Sequence, residues 1–153
     1  MIFSDRHNVR SLSVDRMQKI ASGLDGIIGL AFDAAEENVY WADVRDRSID
    51  SAALNKPDVT NQVARLKNRS VPDGVAIDWI GRKLYWSDAG LDLIEVAELD
   101  GSSRLVIVHT GLDEPRAIAL DPTEGGRLVV AGFVHLGLSL FRPGCVVMRI
   151  QPT

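Results

Sequence analysis

The stretch Val39-Tyr40-Trp41-Ala42-Asp43 returns, changed only at its first and fourth residues, as Leu84-Tyr85-Trp86-Ser87-Asp88. The two tryptophans are 45 residues apart. Ala31-Phe32-Asp33 and Ala76-Ile77-Asp78 keep the same offset, and so do Ile49 and Ile94. A third copy opens at Ala119-Leu120-Asp121, 43 residues after Asp78. Self-similarity at 40 to 50 residues marks stacked supersecondary units. Such arrays usually present a binding surface rather than a single catalytic pocket.

Outward from these stretches the pattern is one of strands. No long segment carries the i, i+3, i+4, i+7 apolar stripe of a helix. In the second copy the expected strands are 74–78, 83–87, 93–99 and 105–108, with turns at 79–82 and at Asp100-Gly101. In the first copy a turn at 34–38 precedes strands at 39–42 and 48–54. Residues 1–24 read as the later part of an earlier unit, with Phe3 of Met1-Ile2-Phe3-Ser4-Asp5 in the tryptophan slot. Four short strands in 43 to 45 residues is the arithmetic of one β-propeller blade. The fold class predicted is therefore all-β, with sequence repeats near 1–38, 39–83 and 84–126. After Gly126 the aromatic–Asp pattern stops, and 127–153 reads as a divergent tail without an acidic residue. A divergent strand, an alternative exon and translation past an exon boundary all fit that break.

A blade buries both faces against its neighbours, so adjacent aromatics serve opposite sides. Tyr40, Trp41, Tyr85 and Trp86 are accordingly expected in the core. Asp43 and Asp88 end their strands, where a carboxylate accepts backbone N–H groups. The aromatic–Asp motif reads as structural, not catalytic.

Composition narrows the function. The chain has 153 residues, 46% apolar and 25% charged, with net charge −4. That argues against nucleic-acid binding, which wants a basic face. Cys145 is the one cysteine, so neither an internal disulfide nor a cysteine metal site is expected. No metal-ligand spacing and no G-x-S-x-G elbow occurs, and no cofactor is predicted. Asn68-Arg69-Ser70 is a glycosylation sequon in a polar connection. The opening Met1-Ile2-Phe3-Ser4-Asp5-Arg6-His7 lacks a basic n-region and apolar core, and the apolar run 128–141 is short for a bilayer. Neither a signal peptide nor a transmembrane segment is expected in the chain as written.

Several joined signatures resemble the YWTD, or class B, repeat of the low-density-lipoprotein-receptor family. They are Phe3-Ser4-Asp5-Arg6-His7-Asn8-Val9-Arg10, Pro72-Asp73-Gly74-Val75-Ala76-Ile77-Asp78-Trp79, 83–88, Ile94-Glu95-Val96-Ala97, Leu99-Asp100-Gly101-Ser102-Ser103-Arg104, and Pro115-Arg116-Ala117-Ile118-Ala119-Leu120-Asp121-Pro122. The run 84–122 is most similar to members acting as Wnt co-receptors or as the agrin receptor, and nidogen carries similar repeats. The resemblance implies a six-bladed propeller followed by an EGF-like module. Residues 1–126 would supply about half of that ring, an open arc with two uncovered faces that favour aggregation.

The resemblance also implies protein ligands on the top face, around the central channel. Carried over motif by motif, the positions are Arg6, Val44, Val71, Ala89 and Arg116. Arg6 and Arg116 can pair with ligand carboxylates or carbonyls, or can be solvated or paired within the chain. Histidines in some family propellers release ligand in acid, a role open to His7, His109 or His135. The function implied is a ligand-binding module of a lipoprotein-receptor-related cell-surface receptor, endocytic or Wnt-type, binding secreted proteins. Its parent would be anchored at the outer face of the plasma membrane and carry EGF-like modules. The alternatives are a nidogen-like matrix protein and an inactive fragment or isoform. A calcium-dependent lactonase shares the 72–78 pattern, but the aromatic–Asp strands disfavour it.

Overall fold

The computed structural model describes residues 1–5, 7–12, 17–124, 127–135 and 141–149. A first sheet holds β1 (Ile2–Ser4), β2 (Asn8–Leu12) and β3 (Met17–Ser22). A second holds β4 (Ile27–Asp33), β5 (Asn38–Asp43), β6 (Ser48–Ala53) and β7 (Thr60–Arg65). A third holds β8 (Pro72–Asp78), β9 (Lys83–Asp88), β10 (Leu93–Glu98) and β11 (Leu105–Val108). In the fourth, β14 (Arg127–His135) pairs with β12 (Leu112–Asp113) and β13 (Ile118–Asp121), and also with β15 (Phe141–Arg149). All pairings are antiparallel and the sheets do not close into a ring, so the architecture is an incomplete β-propeller. Residues on both sides of the pattern break at Gly126 thus share one sheet, although Gly126 itself lies outside the described residues. Sequence repeat and sheet are out of phase. The span 39–83 contributes the last three strands of one sheet and the first of the next.

The turns explain why short motifs recur. Asp33 Oδ1 accepts the N–H of Ala35 at 3.1 Å, and Asp78 Oδ1 accepts those of Ile80 and Gly81 at 2.9 and 2.8 Å. These aspartates close the turn between the first and second strands of a sheet. Left-handed backbone recurs at the same offset. Glu37 and Arg82 have φ of 54° and 56°, Arg47 and Asp92 of 52° and 54°, Asp58 and Ser103 of 61° and 54°.

The inner strands β4, β8 and β13 lie side by side, and a close backbone approach fixes two glycines. A Cβ on Gly29 would sit 2.1 Å from the Asp73 carbonyl oxygen, and one on Gly74 would sit 2.6 Å from that of Arg116. Only glycine permits that separation. Both occur where the pairing register shifts, between Ile27 and Leu30 and between Pro72 and Val75.

The cores lie between sheets. Trp41, Val39 and Ile27 pack with Val9, Ile20 and Ala21 of the first sheet. Tyr40, next in the chain to Trp41, turns the other way and packs with Ala42 and Ile49 against Val75, Ile77, Leu84 and Trp86 of the third sheet. Both tryptophans are 0% exposed, and Tyr40 and Tyr85 are buried. Ile94 continues the pattern against Leu128 and Val130 of the fourth sheet.

A polar clasp is laid over the second of these interfaces. Trp86 Nε1 donates to Glu95 Oε2 at 3.0 Å, and Arg104 donates to both Glu95 oxygens at 2.9 and 2.6 Å. The same guanidinium lies 5.2 Å from the Trp86 ring centre and donates to the Arg65 carbonyl at 2.9 Å. One repeat earlier the corresponding residues are Asp50 and Val59, and Trp41 Nε1 is buried without a partner. At the turn end of the sheets Arg82 donates to both Asp33 oxygens at 2.8 and 2.6 Å and to Glu36 at 2.9 Å. The Arg82 hydrogen bond holds the buried Asp33 carboxyl below the usual carboxylate range, against the opposing effect of burial.

Trp86→Ala removes the largest side chain of the interface between the second and third sheets. It is expected to cost about 3–5 kcal/mol, read as a lowered denaturant midpoint by circular dichroism. An unchanged midpoint would contradict the packing described.

Candidate ligand-binding face

The loops that follow β5 and β9 are shaped by their strand-ending aspartates. Asp43 Oδ1 accepts the N–H groups of Arg45 and Asp46 at 2.9 and 3.1 Å. Asp88 Oδ1 accepts those of Gly90 and Leu91 at 3.0 and 3.2 Å, and that of Val71 at 2.9 Å. Each loop is tied to the connection before the inner strand. Val44 donates its N–H to the Gly26 carbonyl at 3.0 Å, and Ala89 donates to the Val71 carbonyl at 2.9 Å. Val44, Val71 and Ala89 thereby reach one end of the array, each half-buried.

Arg116 joins them from the segment before β13. Its guanidinium donates to Asp73 Oδ2 at 3.1 Å and to Glu114 Oε2 at 2.8 Å, with its side chain 47% exposed. The Asp73 bond first, then the Glu114 bond, push its pKa up. Its carbonyl accepts the Ser87 hydroxyl, which in turn accepts the Gly74 N–H at 2.8 Å. Ser87 therefore ties the third sheet to the fourth, a link that Ala42 at the equivalent position lacks. Arg6 lies outside the described residues.

The sequence reading did not anticipate the partners on this face. Asp73 and Arg116 are 43 residues apart, the offset of the third copy, so their pairing was available from repeat alignment. Glu114 and the pair Arg45–Asp25 at 2.8 Å carry no repeat signal. A cavity of about 190 Å³ lies between the inner strands, lined by Gly29, Leu30, Gly74, Val75, Ala117 and Ile118 among others. Among the described residues no three His, Cys, Asp or Glu side chains are grouped to hold a metal ion.

Comparison with known proteins gives the array its family. The sequence model for the low-density lipoprotein receptor repeat class B matches residues 82–122. Mouse low-density lipoprotein receptor-related protein 5 is 39% identical over 129 residues, 82% of this chain. The chain belongs to the low-density lipoprotein receptor class B repeat family. It spans 8% of the length of that mouse relative. A propeller in a crystal structure of a nidogen/laminin complex superposes with a TM-score of 0.77 at 34% identity, covering 86% of this chain and 52% of that one. A Xanthomonas campestris gluconolactonase superposes with a TM-score of 0.67 at 24% identity over 83% of this chain and 42% of that one, a likeness that shows the fold alone.

Within this class B array one carboxylate is out of balance. Half-buried Asp50 occupies the position that Glu95 holds in the next repeat, without an arginine in the position of Arg104. Burial raises its pKa to about 6, helped by Asp43 and Asp46 and opposed by the Ser48 hydroxyl bond. A raised carboxyl favours the folded state fully below its unfolded value of about 4. That contribution is lost as pH climbs through about 6. Asp50→Asn is therefore expected to raise the thermal midpoint near pH 7.5 and to leave it unchanged near pH 4, checked by parallel melts.

Proposed function

We propose that the chain is a ligand-binding module of a lipoprotein-receptor-related cell-surface receptor and that it takes secreted protein ligands on the face carrying Val44, Val71, Ala89 and Arg116. The observation that carries this reading is convergence. Loops from successive repeats bring these four positions to one end of an array of the class B family. The face combines half-buried aliphatic side chains with an arginine already oriented by Asp73 and Glu114. An anchored Arg is a residue type enriched at protein-binding hot spots, and here it stands beside half-buried apolar groups. The reading makes the chain a binding element and not a catalyst, its parent anchored at the outer face of the plasma membrane and bearing EGF-like modules.

A matrix role is the second reading, favoured by the 34% identity to the propeller of the nidogen/laminin complex. One experiment separates the two. Immobilised chain is challenged with conditioned medium and, separately, with laminin. Val71→Arg, Ala89→Arg and Arg116→Glu are each expected to weaken retention of secreted proteins by roughly 10- to 30-fold, while Lys56→Gln, in the connection between β6 and β7, leaves it intact. Retention equal in all variants would refute the face. Laminin retention lost in the same variants would select the matrix reading.

Asn68 is exposed in the turn between β7 and β8. Routed through the secretory pathway, the chain is expected to gain one enzymatically removable glycan, absent in Asn68→Gln. Electrophoretic mobility before and after deglycosylation checks this.

A further inference from the structure

Two connections at the top of the second sheet carry basic side chains that no ion pair neutralises among the described residues. Arg47 ends the loop after β5, and Arg65, Lys67 and Arg69 alternate through the end of β7 and the turn beyond it. The two segments lie alongside each other. Leu66 donates its N–H to the Arg47 carbonyl at 2.9 Å, and Arg65 is paired with Ser48 in the ladder. On its other side the Arg69 carbonyl abuts Gly90, where an added Cβ would sit 2.1 Å away. All four basic residues are exposed. None has an ion pair or side-chain hydrogen bond among the described residues, whereas Arg45 beside them is paired with Asp25 at 2.8 Å. Within residues 46–50 and 65–69 the acidic groups are exposed Asp46 and half-buried Asp50, against four cations, so these two segments carry a positive excess on a chain of net charge −4.

We propose that Arg47, Arg65, Lys67 and Arg69 form a binding site for a sulfated polysaccharide. The kind of partner follows from what the cluster lacks. Its segments contain no exposed large apolar side chain, since the residues of that kind lie elsewhere, Trp79 and Ile80 among them. A protein interface is built around a buried apolar or aromatic centre. An anionic membrane attracts each basic residue by only about 1 kcal/mol, and no exposed large apolar side chain is here to insert beside them. A nucleic acid would bring bases, and no aromatic ring lies in these segments to stack on them. What remains is attraction by charge and hydrogen bonding alone. Alternate residues of an extended chain are spaced by about 7 Å, so Arg65 and Lys67 set out cations in a row. Sulfates repeated along a flexible sugar chain match such a row. Guanidinium groups bind tetrahedral oxyanions bidentately. The cluster borders the face of Val44, Val71 and Ala89, since Arg47 closes the loop that Val44 opens and Arg69 lies two residues before Val71. Its attraction by charge does not depend on that face binding protein.

The test uses heparin as the sulfated probe. A glycan on Asn68 would stand over Lys67 and Arg69, so the full chain is made with Asn68→Gln. Immobilised heparin is expected to retain it at about physiological salt. The variant Arg47→Gln, Arg65→Gln, Lys67→Gln, Arg69→Gln is expected to bind at least about tenfold more weakly, with the slope of log affinity against log salt reduced by roughly three. Lys56→Gln, a lone cation in the β6–β7 connection, is expected to match the parent. Equal circular dichroism spectra and melts confirm that neutralisation spares the fold. Three results would each overturn the proposal: no retention of the parent, equal retention of the fourfold variant, or binding to poly-glutamate as tight as to heparin. The last would assign the cluster to an acidic protein segment instead.

Discussion

Everything in this molecule hangs on two neighbouring side chains that point in opposite directions. Tyr40 and Trp41 are consecutive, so in a strand they serve different faces, and each face belongs to a different interface. Trp41 is sealed against the first sheet, and Tyr40 is sealed against the third. A sheet of this kind has no private core. Its stability comes from contact with the sheet before and the sheet after, the nearest-neighbour energetics of repeat proteins. The close approach of the inner strands follows from that packing. Sheets pressed together by bulky side chains near the middle must converge at the axis, and the backbone of Gly29 and Gly74 is where they meet.

Polar groups divide the labour between the two ends. At the turn end, ion pairs cross from sheet to sheet, with Arg82 held by Asp33 and Glu36. At the loop end, buried Asp43 and Asp88 each spend one oxygen, Oδ1, on backbone N–H groups of their own loops. The first arrangement fixes how sheets stand to one another. The second fixes the shape of the surface a partner would meet. The clasp of Trp86, Glu95 and Arg104 belongs to the first class, and its absence around Trp41 leaves a buried indole N–H without an acceptor and a half-buried carboxylate without a cation.

Most of the fold was legible because it rests on period and on residue type. The four strands of the third sheet run at 72–78, 83–88, 93–98 and 105–108, against expected spans of 74–78, 83–87, 93–99 and 105–108. The aromatic pairs announced burial on both faces, and the strand-ending aspartates announced turn hydrogen bonds. What the sequence concealed were relations between repeats. A pairing such as Asp33 with Arg82 joins two turns 49 residues apart and depends on how far a guanidinium reaches across an interface. Glu114 meets Arg116 because the inner strand of the fourth sheet is broken between β12 and β13, a feature with no counterpart in the earlier copies. The face positions were placed by motif, and the salt links around them needed coordinates. The pairing of β14 with β13 was equally hidden, since Leu128 and Val130 fill apolar positions without the aromatic signature.

The corners of the sheets hold a last lesson. Arg47 and Asp92 share a left-handed backbone at the same place in successive loops, although one is basic and the other acidic. Neither is glycine, so this shape is maintained against local preference, at a cost of order 1 kcal/mol for each residue. The loop's outline is therefore decided by the strand-ending aspartate and the ladder beneath it, and is indifferent to the side chains it displays. Val44-Arg45-Asp46-Arg47 and Ala89-Gly90-Leu91-Asp92 are two inscriptions on the same template. A scaffold of this kind uncouples chemical character from architecture. Its surface is free to diversify from copy to copy while the framework stays unchanged.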